Sequence, residues 1–289
     1  MRVGLALLVC GCMTVAGCAR VQPADLPGSG PAAAEVQVGQ PAARAVAQIR
    51  KLGGEVQPEL PDAAGSALLV NLRNAQDPDA ALACVPEAGE IASVDLAFTA
   101  VNNDALRHVA ACKGLRELNL AGTRTTSEGL ERLAGLTGLR KLDLGETDVS
   151  VKGLSHLRGL KGLEELNLKR VPMGDAGLAS LAALTNLRSL NLHGTSITGA
   201  GLEHLNGLKQ LRVLWIDSNP GVNDAGLVHL GGLTSLETLY LGSTGVTDAG
   251  LVNLRGLTNL RELNLYGTGV TAAGVDGLRR ALPAVRIEH

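Results

Sequence analysis

One six-residue pattern, Leu-x-x-Leu-x-Leu, recurs through most of the chain at an almost constant interval. The interval is 24 residues, with a single step of 25 between the copies that start at Leu211 and Leu236. The copies start at Leu115, Leu139, Leu163, Leu187, Leu211, Leu236 and Leu260. Weaker copies occupy residues 67–72 and 91–96. Because so short a unit cannot bury its own apolar side chains, the units must stack on one another.

Each unit carries the signals for one strand and one helix. From Leu236 to Leu241, leucines alternate with Thr238 and Tyr240, as in a strand with one buried face. Leucines at positions 251, 254 and 257 follow, and their three-residue spacing predicts a buried helical stripe. The residue before each helical stretch is of a type favoured at helix N-caps. These residues are Asn102, Thr126, Ser150, Gly174, Thr198, Asn223, Thr247 and Thr271.

This repeat resembles the leucine-rich repeat family, in its ribonuclease-inhibitor-like type with 24-residue units and a Thr-Asp-Ala-Gly-Leu segment, as at residues 247–251. The resemblance covers residue 67 to the C-terminus. It implies an α/β fold: a right-handed curved solenoid, the leucine-rich repeat horseshoe, with a parallel sheet on the concave face and short helices on the convex face. It also implies that Thr244, where many members have Asn, bonds backbone groups of the neighbouring loop. Members commonly bind a protein or peptide on the concave face, so we expect such a partner here.

The N-terminal segment resembles the signal of bacterial lipoproteins. Arg2 precedes a short apolar run at residues 3–9, and Val15-Ala16-Gly17-Cys18 matches the lipobox. The resemblance implies that residues 1–17 are a signal peptide and that Cys18 carries a lipid that anchors the protein to a membrane. In that family an Asp after the lipidated Cys favours retention in the inner membrane. Because Ala19 occupies this position here, the resemblance favours the outer membrane. The expected location is the bacterial cell envelope, lipid-anchored and either periplasmic or associated with the outer membrane; an ordinary secretory signal cut nearby is the alternative.

The rest of the chain divides into four segments. Residues 18–41 are rich in Ala, Pro and Gly without apolar periodicity, which predicts a disordered tether. Residues 42–66 place Ala45, Val46, Ile49 and Leu52 at helical spacing, which predicts a helical cap over the first unit, followed by a loop from Gln57. The repeats cover residues 67–283, and residues 284–289 are expected to form a closing strand.

Charge and cysteine content exclude several classes of function. The net charge is −2, or −3 once Arg2 has left with the signal, and without a basic patch no nucleic-acid partner is predicted. Cys112 aligns with buried leucines and Cys84 with outward positions, so a disulfide between them is not expected. No cysteine pair has zinc-ligand spacing, and the chain has no phosphate-binding loop, nucleophile elbow or H-E-x-x-H motif. We therefore expect a monomer without metal, cofactor or catalytic residues.

Aromatic side chains supply the candidate binding site. Three of the four fall at outward strand positions of consecutive units: Trp215, Tyr240 and Tyr266. Parallel strands lie about 4.8 Å apart, so rings on neighbouring strands can touch. His193 and Asp217 are adjacent in the same outward column as Tyr266. We interpret these five residues as a binding patch for a protein or peptide. The alternative is that aromatic side chains simply suit strands and pack across them.

Other surfaces carry weaker signals. His193 beside Asp217 fits a general-base pair, but no nucleophile motif accompanies it, so a surface hydrogen bond is the preferred interpretation. A row of histidines on the helices, including His204 and His229, is interpreted as a solvated face rather than a metal site. The polar N-terminal half of the concave face is interpreted as a soluble face, or the rim of a polar site. Two other functions stay open: a structural component of the envelope, and glycan or small-ligand binding at Trp215 and Tyr240.

Overall fold

The computed structural model describes residues 39–60 and 66–289. The predicted signal peptide, Cys18 and almost all of the predicted tether lie outside these residues. Within the described ranges, no helix is both long enough and apolar enough to cross a membrane.

Strands and short helices alternate along the described chain. The strands are β1 (Glu55–Pro58), β2 (Leu68–Asn71), β3 (Ile91–Asp95), β4 (Glu117–Asn119), β5 (Lys141–Asp143), β6 (Glu165–Asn167), β7 (Ser189–Asn191), β8 (Val213–Trp215), β9 (Thr238–Tyr240), β10 (Glu262–Asn264) and β11 (Arg286–Glu288). The α-helices are α1 (Gln40–Lys51), α2 (Pro78–Cys84), α3 (Leu106–Ala111), α4 (Ser127–Leu133), α5 (Val151–Leu154), α6 (Gly174–Leu181), α7 (Asp224–Leu227) and α8 (Ala272–Ala281). Further 3₁₀ helices cover Val85–Glu87, Ser155–Gly159, Ala200–Leu205 and Gly250–Leu254. Leucines three residues apart suit either kind of helix.

All strands form one sheet in chain order. From β2 onward neighbouring strands are parallel, and Glu117 of β4 lies opposite Lys141 of β5, one repeat interval later. The middle residue of each short strand, such as Leu142, is buried, while its two neighbours face outward. The result is an unclosed α/β solenoid with the sheet on the concave side and the helices on the convex side. The predicted fold class is confirmed.

The core is a ladder of leucines enclosed between the sheet and the helices. In one unit Leu211 and Leu214 enter it from the strand, and Leu227 and Leu230 enter it from the helical part, each with 0% exposure. Burying a side chain of this size contributes about 2 kcal/mol of transfer free energy. Because every unit repeats these contacts, the stack keeps the same outward columns along its whole length.

A strand that the sequence did not predict completes the N-terminal end. The expected loop from Gln57 instead continues β1, which pairs antiparallel with β2 and places Val56 opposite Val70. Val56 and Ile49 of α1 are both buried, so strand and helix together cover the apolar end of the first unit. Pro58 favours a loop in the sequence analysis, but proline is tolerated in an edge strand, where its missing N–H faces no neighbour.

The threonine that follows most strands bonds within its own unit. The Thr244 hydroxyl donates to the carbonyl of Leu241 at 2.6 Å, three residues earlier. The expectation that it bonds the neighbouring loop was therefore wrong, because the short hydroxyl is satisfied before it can reach that loop. Asn219 occupies the same position in the 25-residue unit and does reach the preceding unit, where its Nδ2 donates to the carbonyl of Leu192 at 2.8 Å.

Only some of the predicted N-cap residues cap a helix directly. Four of them immediately precede a helix, namely Thr126, Ser150, Asn223 and Thr271, but only the side chains of Asn223 and Thr271 accept a hydrogen bond from a helical N–H. Gly174 is instead the first residue of α6. Asn102, Thr198 and Thr247 lie at least two residues before the first helical residue. The hydroxyls of Thr198 and Thr247 each donate to an aspartate of the preceding unit.

This aspartate–threonine contact ties successive helical parts together. Asp248 accepts hydrogen bonds from Thr271 N at 2.8 Å and Thr271 Oγ1 at 2.6 Å. Asp224 makes the same pair of bonds with Thr247, one unit earlier. The Thr-Asp pair therefore forms a chain of contacts, in which each aspartate holds the threonine of the next unit.

The Asp248 contact makes stability depend on pH. The hydrogen bonds from the hydroxyl and backbone N–H of Thr271 hold the pKa of the Asp248 carboxyl below its ordinary value of 3.8. A lowered pKa in the folded state stabilises the protein above the unfolded pKa, and this contribution is lost as pH falls through the folded pKa. We expect Asp248→Asn to unfold at lower urea than the wild type at pH 7, with the difference shrinking as the pH falls below the ordinary carboxyl pKa of 3.8. Glu128→Gln, on an exposed side chain, is the control and should show no such pH-dependent difference; a gap that stays constant with pH would contradict the assignment.

Candidate functional site

Three columns of outward side chains line the concave face, because the strands are in register. Asn191, Trp215 and Tyr240 lie side by side on β7, β8 and β9 in the central column. The central column comprises Asp95, Asn119, Asp143, Asn167, Asn191, Trp215, Tyr240 and Asn264. One neighbouring column contains Lys169, His193, Asp217 and Tyr266, and the other contains Glu117, Lys141, Glu165 and Glu262. The repeat spacing therefore predicts which residues share a surface.

Two of the predicted aromatic residues form a stack. The ring centroids of Trp215 and Tyr240 are 5.7 Å apart and the ring planes differ by 4°. Tyr240 Oη donates to Glu262 Oε1 at 3.0 Å, and partial burial followed by this contact raises the pKa of the Tyr240 phenol. Tyr266 lies in the adjacent column and is 73% exposed. The expected contact between neighbouring rings thus exists for Trp215 and Tyr240.

His193 and Asp217 are brought together as predicted. His193 Nδ1 lies 2.5 Å from Asp217 Oδ2, and the His193 backbone N–H donates to Asn191 Oδ1. Within residues 39–60 and 66–289, Asp217 Oδ1 is buried without a hydrogen-bond partner. This contact fixes the orientation of both side chains at the edge of the aromatic stack.

The structure also contains a polar cavity that the sequence analysis treated only as a soluble face or a rim. It has a volume of about 370 Å³ and extends along the concave face from β3 to β8. Its charged lining residues are Asp95, Glu117, Lys141, Asp143 and Glu165. Trp215 and Asn191 line it at the C-terminal end, so the cavity is continuous with the aromatic stack. The sequence indicates this cavity only through the polar residues in the same columns. Its volume could not be predicted, because it depends on the curvature of the sheet.

Lys141 is held at the centre of this polar cavity. Its Nζ lies 3.3 Å from a carboxylate oxygen of Glu117 and 3.3 Å from one of Glu165. These two carboxylates raise the pKa of the Lys141 ammonium, with the charge of Glu117 as the largest cause. All three side chains are about half exposed, so the pairs are close to solvent and contribute little to stability. Their charges stay available to a partner.

The central column is locked by a repeated turn. Asn119 Oδ1 accepts from the backbone N–H of Ala121 at 3.1 Å, and Asn191 Oδ1 accepts from that of His193 at 2.9 Å. Asp143 Oδ1 accepts from the N–H of Gly145 in the same way. In the described part of the chain, the Nδ2 groups of Asn119 and Asn191 donate to no protein atom. These amides are therefore oriented donors on the concave face.

Phe98 was missed by the sequence analysis. It is 68% exposed, has φ of 59°, and its ring packs over Gly122 of the next unit. The equivalent residues of other units, for example Glu146 and Ser218, also have positive φ. The left-handed backbone conformation at this position is therefore a feature of the repeat and not of Phe98 alone. Phe98 lies at the rim of the face, outside the three columns.

Other expectations concern cysteines and metals. Cys84 and Cys112 are both free thiols. Burial raises the pKa of the Cys112 thiol to about 11, which makes it an unreactive core side chain. Among the described residues, no group of three or more His, Cys, Asp or Glu side chains could hold a metal ion.

Comparison with known proteins supports the repeat assignment. The family model described as a leucine-rich repeat matches residues 183–205 and 232–254. Comparison with curated protein sequences gives no match. Internalin C2 from Listeria monocytogenes is similar in structure, with a TM-score of 0.57, 27% sequence identity, and coverage of 74% of this chain and 85% of that one.

More distant structures share the fold. The ectodomain of the Arabidopsis receptor kinase HAESA, in complex with an N-terminally extended IDA peptide hormone, has a TM-score of 0.57 at 18% identity and matches 81% of this chain. A leucine-rich repeat protein of Leptospira interrogans has a TM-score of 0.50 at 18% identity and matches 72% of this chain. This chain spans 42% of the receptor ectodomain and 62% of the Leptospira protein, less than two thirds of either.

Proposed function

The chain is a leucine-rich repeat protein, and on that premise we propose that it is a non-enzymatic interaction protein that binds a protein or peptide on its concave face. The binding residues are Trp215, Tyr240, Tyr266, His193 and Asp217. Trp215 and Tyr240 lie on neighbouring strands of the regular sheet, and the other three residues each follow the end of a strand by two residues, so the sheet fixes their relative positions. Catalysis has no part in the proposal, because His193 and Asp217 serve to orient each other.

The observation that carries the proposal is where the aromatic side chains lie. The chain has four aromatic residues among Phe, Trp and Tyr, and all four are at least partly exposed. Aromatic side chains normally supply much of the buried area of a core. Here leucine fills the core, and Trp215 and Tyr240 instead present a stacked pair on the concave face. Exposed Trp and Tyr at the centre of a face are frequent contributors to binding energy.

The location is part of the same proposal and rests on the sequence. Residues 1–17 act as a signal peptide, Cys18 carries a lipid, and the predicted tether ends at residue 39, since Gln40 and Pro41 belong to helix α1. Residues 42–66 cap the repeats of residues 67–283, and residues 284–289 close them. The protein is then a monomer, tethered to a membrane in a bacterial envelope, with its concave face free to meet a partner.

A capture experiment tests the proposed function. The chain is immobilised and incubated with bacterial envelope extracts, beside the variant Trp215→Ala/Tyr240→Ala/Tyr266→Ala. Because these side chains lie outside the core, the variant should keep its fold, which circular dichroism verifies. We expect a partner to be retained by the wild type and lost by the variant, with mass spectrometry identifying it.

The matched control removes apolar surface from the opposite side. Val228 and Val252 are 57% and 52% exposed on the convex side, so Val228→Ala/Val252→Ala should capture the same partner as the wild type. Identical partners on the wild type and the aromatic variant would contradict the concave site and favour a structural role. Recovery of glycans instead of proteins would favour the glycan-binding alternative.

A further inference from the structure

We propose that the polar cavity binds an extended, basic segment of the partner polypeptide, with one cationic side chain held against Trp215 and others, further along the segment, held against the carboxylates of Glu165 and Asp143. This inference rests on the proposed function, because it specifies the chemistry of the partner that the concave face binds. It also extends the site from the aromatic stack to the polar half of the face.

Charge is the first argument. The cavity lining carries the four carboxylates of Asp95, Glu117, Asp143 and Glu165 and the single ammonium of Lys141, which gives a net charge of −3. Arg73 pairs with Asp95 at 2.9 Å and offsets one of these charges, so −2 remains, as much as the whole chain carries. The negative charge is thus concentrated in one concave surface, where a cationic partner is attracted and an anionic one is repelled.

The second argument is the row of oriented amides. Because Oδ1 of Asn119 and of Asn191 is occupied by a backbone N–H of its own unit, each side chain is fixed and its Nδ2 is left as a donor. Main-chain carbonyl groups are the acceptors that an extended polypeptide offers along its length. The amides thus fit the backbone of the segment, while the carboxylates fit its side chains.

Trp215 supplies the third argument. Tyr240 covers one face of the indole, since the two rings are nearly parallel. Asn191 lies opposite Trp215 on the other neighbouring strand, and both residues line the cavity. The indole face directed towards β7 therefore borders the cavity. A guanidinium or ammonium over a tryptophan face gains cation–π attraction.

Dimensions favour an extended segment. The cavity runs from β3 to β8, five strand intervals of about 4.8 Å each, or about 24 Å. An extended chain advances about 3.3 Å per residue, so about seven residues span the cavity.

Defined peptides test the charge requirement. Fluorescein-labelled octapeptides (Gly-Arg)4, (Gly-Ser)4 and (Gly-Glu)4 are titrated into the full chain at low ionic strength, and binding is followed by fluorescence anisotropy. In an extended peptide, alternation places all charged side chains on one face. We expect (Gly-Arg)4 to bind about tenfold more tightly than (Gly-Ser)4, the effect of a few exposed ion pairs, and (Gly-Glu)4 to bind least. Equal affinity for all three peptides would overturn the proposal.

Variants locate the binding within the cavity. Glu117→Gln/Glu165→Gln should raise the Kd for (Gly-Arg)4 about tenfold, and Trp215→Ala should also raise it. Lys141→Gln should lower the Kd, because the carboxylates lose their internal partner. The convex double variant Glu128→Gln/Glu131→Gln changes the net charge of the chain by the same amount and should leave the Kd unchanged. An equal rise of the Kd in the convex variant, or a higher Kd for Lys141→Gln, would contradict the proposed site.

The two proposals fail in different ways. If the partner captured from envelope extracts depends on Trp215, Tyr240 and Tyr266 but not on Glu117 and Glu165, the proposed function stands and the basic-segment inference is wrong. If (Gly-Arg)4 binds the cavity but no extract protein depends on the aromatic residues, the cavity chemistry stands and the proposed function is wrong.

Discussion

Replacing Asn219 with alanine should lower the free energy of unfolding by about 3 kcal/mol, because it removes a buried group that bonds two units. Asn219 has 0% exposure. Its Nδ2 donates to the carbonyls of Leu192 at 2.8 Å and Ile216 at 3.0 Å, and its Oδ1 accepts from Ile197 N at 3.2 Å. Alanine would leave the Ile216 carbonyl and the Ile197 N–H without these partners, whereas the Leu192 carbonyl would keep its bond from the Thr195 hydroxyl at 2.8 Å. Urea denaturation followed by far-UV circular dichroism measures the loss.

The neighbouring units provide the control for this prediction. Thr147 occupies the equivalent position and bonds only the carbonyl of Leu144, at 2.6 Å. Thr147→Ala should therefore cost about 1 kcal/mol, the usual net value of one hydrogen bond. Equal losses in the two variants would show that Asn219 stabilises no more than an ordinary threonine, and that its contact with the preceding unit is energetically unimportant.

Gly226→Ala should destabilise the protein by about 3 kcal/mol, although alanine is normally the better helix former by about 1 kcal/mol. Gly226 lies in α7, where a Cβ atom would meet the backbone of Gly199, 2.8 Å from its carbonyl oxygen and 3.0 Å from its carbonyl carbon. Backbone atoms have no rotamer with which to move aside. The two units would have to separate, and the leucines packed between them would lose contacts.

Gly207→Ala is the matched control for Gly226→Ala. A Cβ atom there would lie 3.8 Å from the Ala182 carbonyl oxygen, an ordinary van der Waals distance. Its effect on the urea midpoint should be neutral or slightly stabilising, because alanine reduces the freedom of the unfolded chain. A similar midpoint for the Gly226 and Gly207 variants would refute the steric argument. A changed slope of the urea transition would indicate that the stack unfolds in parts, which is common in repeat proteins.

Periodicity allowed most of the fold to be predicted. Strand and helix signals recur at a fixed interval, and in a stacked repeat the equivalent residues must share columns, so the outward positions of Trp215 and Tyr240 follow from counting. The strand at residues 55–58 could not be predicted in this way, because it lies before the repeat and depends on pairing with β2. Likewise, the Thr244 hydroxyl bonds its own unit because its side chain is short, and the repeat interval does not indicate which carbonyl group a hydroxyl contacts.

The candidate site was predictable only as a set of residues. The spacing placed His193 beside Asp217 and Trp215 beside Tyr240, and both pairs are in contact. The polar cavity needed more information, since its volume depends on the curvature of the sheet, and its oriented amides depend on local turns at Asn119 and Asn191. The charges of Glu117, Lys141 and Glu165 were visible in the sequence, but the volume they enclose was not.

The extra residue of the 25-residue unit has a consequence for how this surface can evolve. The extra residue falls at Pro220–Gly221, after β8, and leaves Trp215 opposite Tyr240 in the sheet. Length changes inside a unit are thus absorbed by a loop, while gain or loss of a whole unit would change the concave face by one step of about 4.8 Å. A lineage of such chains can therefore match the length of its partner by copying units, without redesigning the columns that make contact.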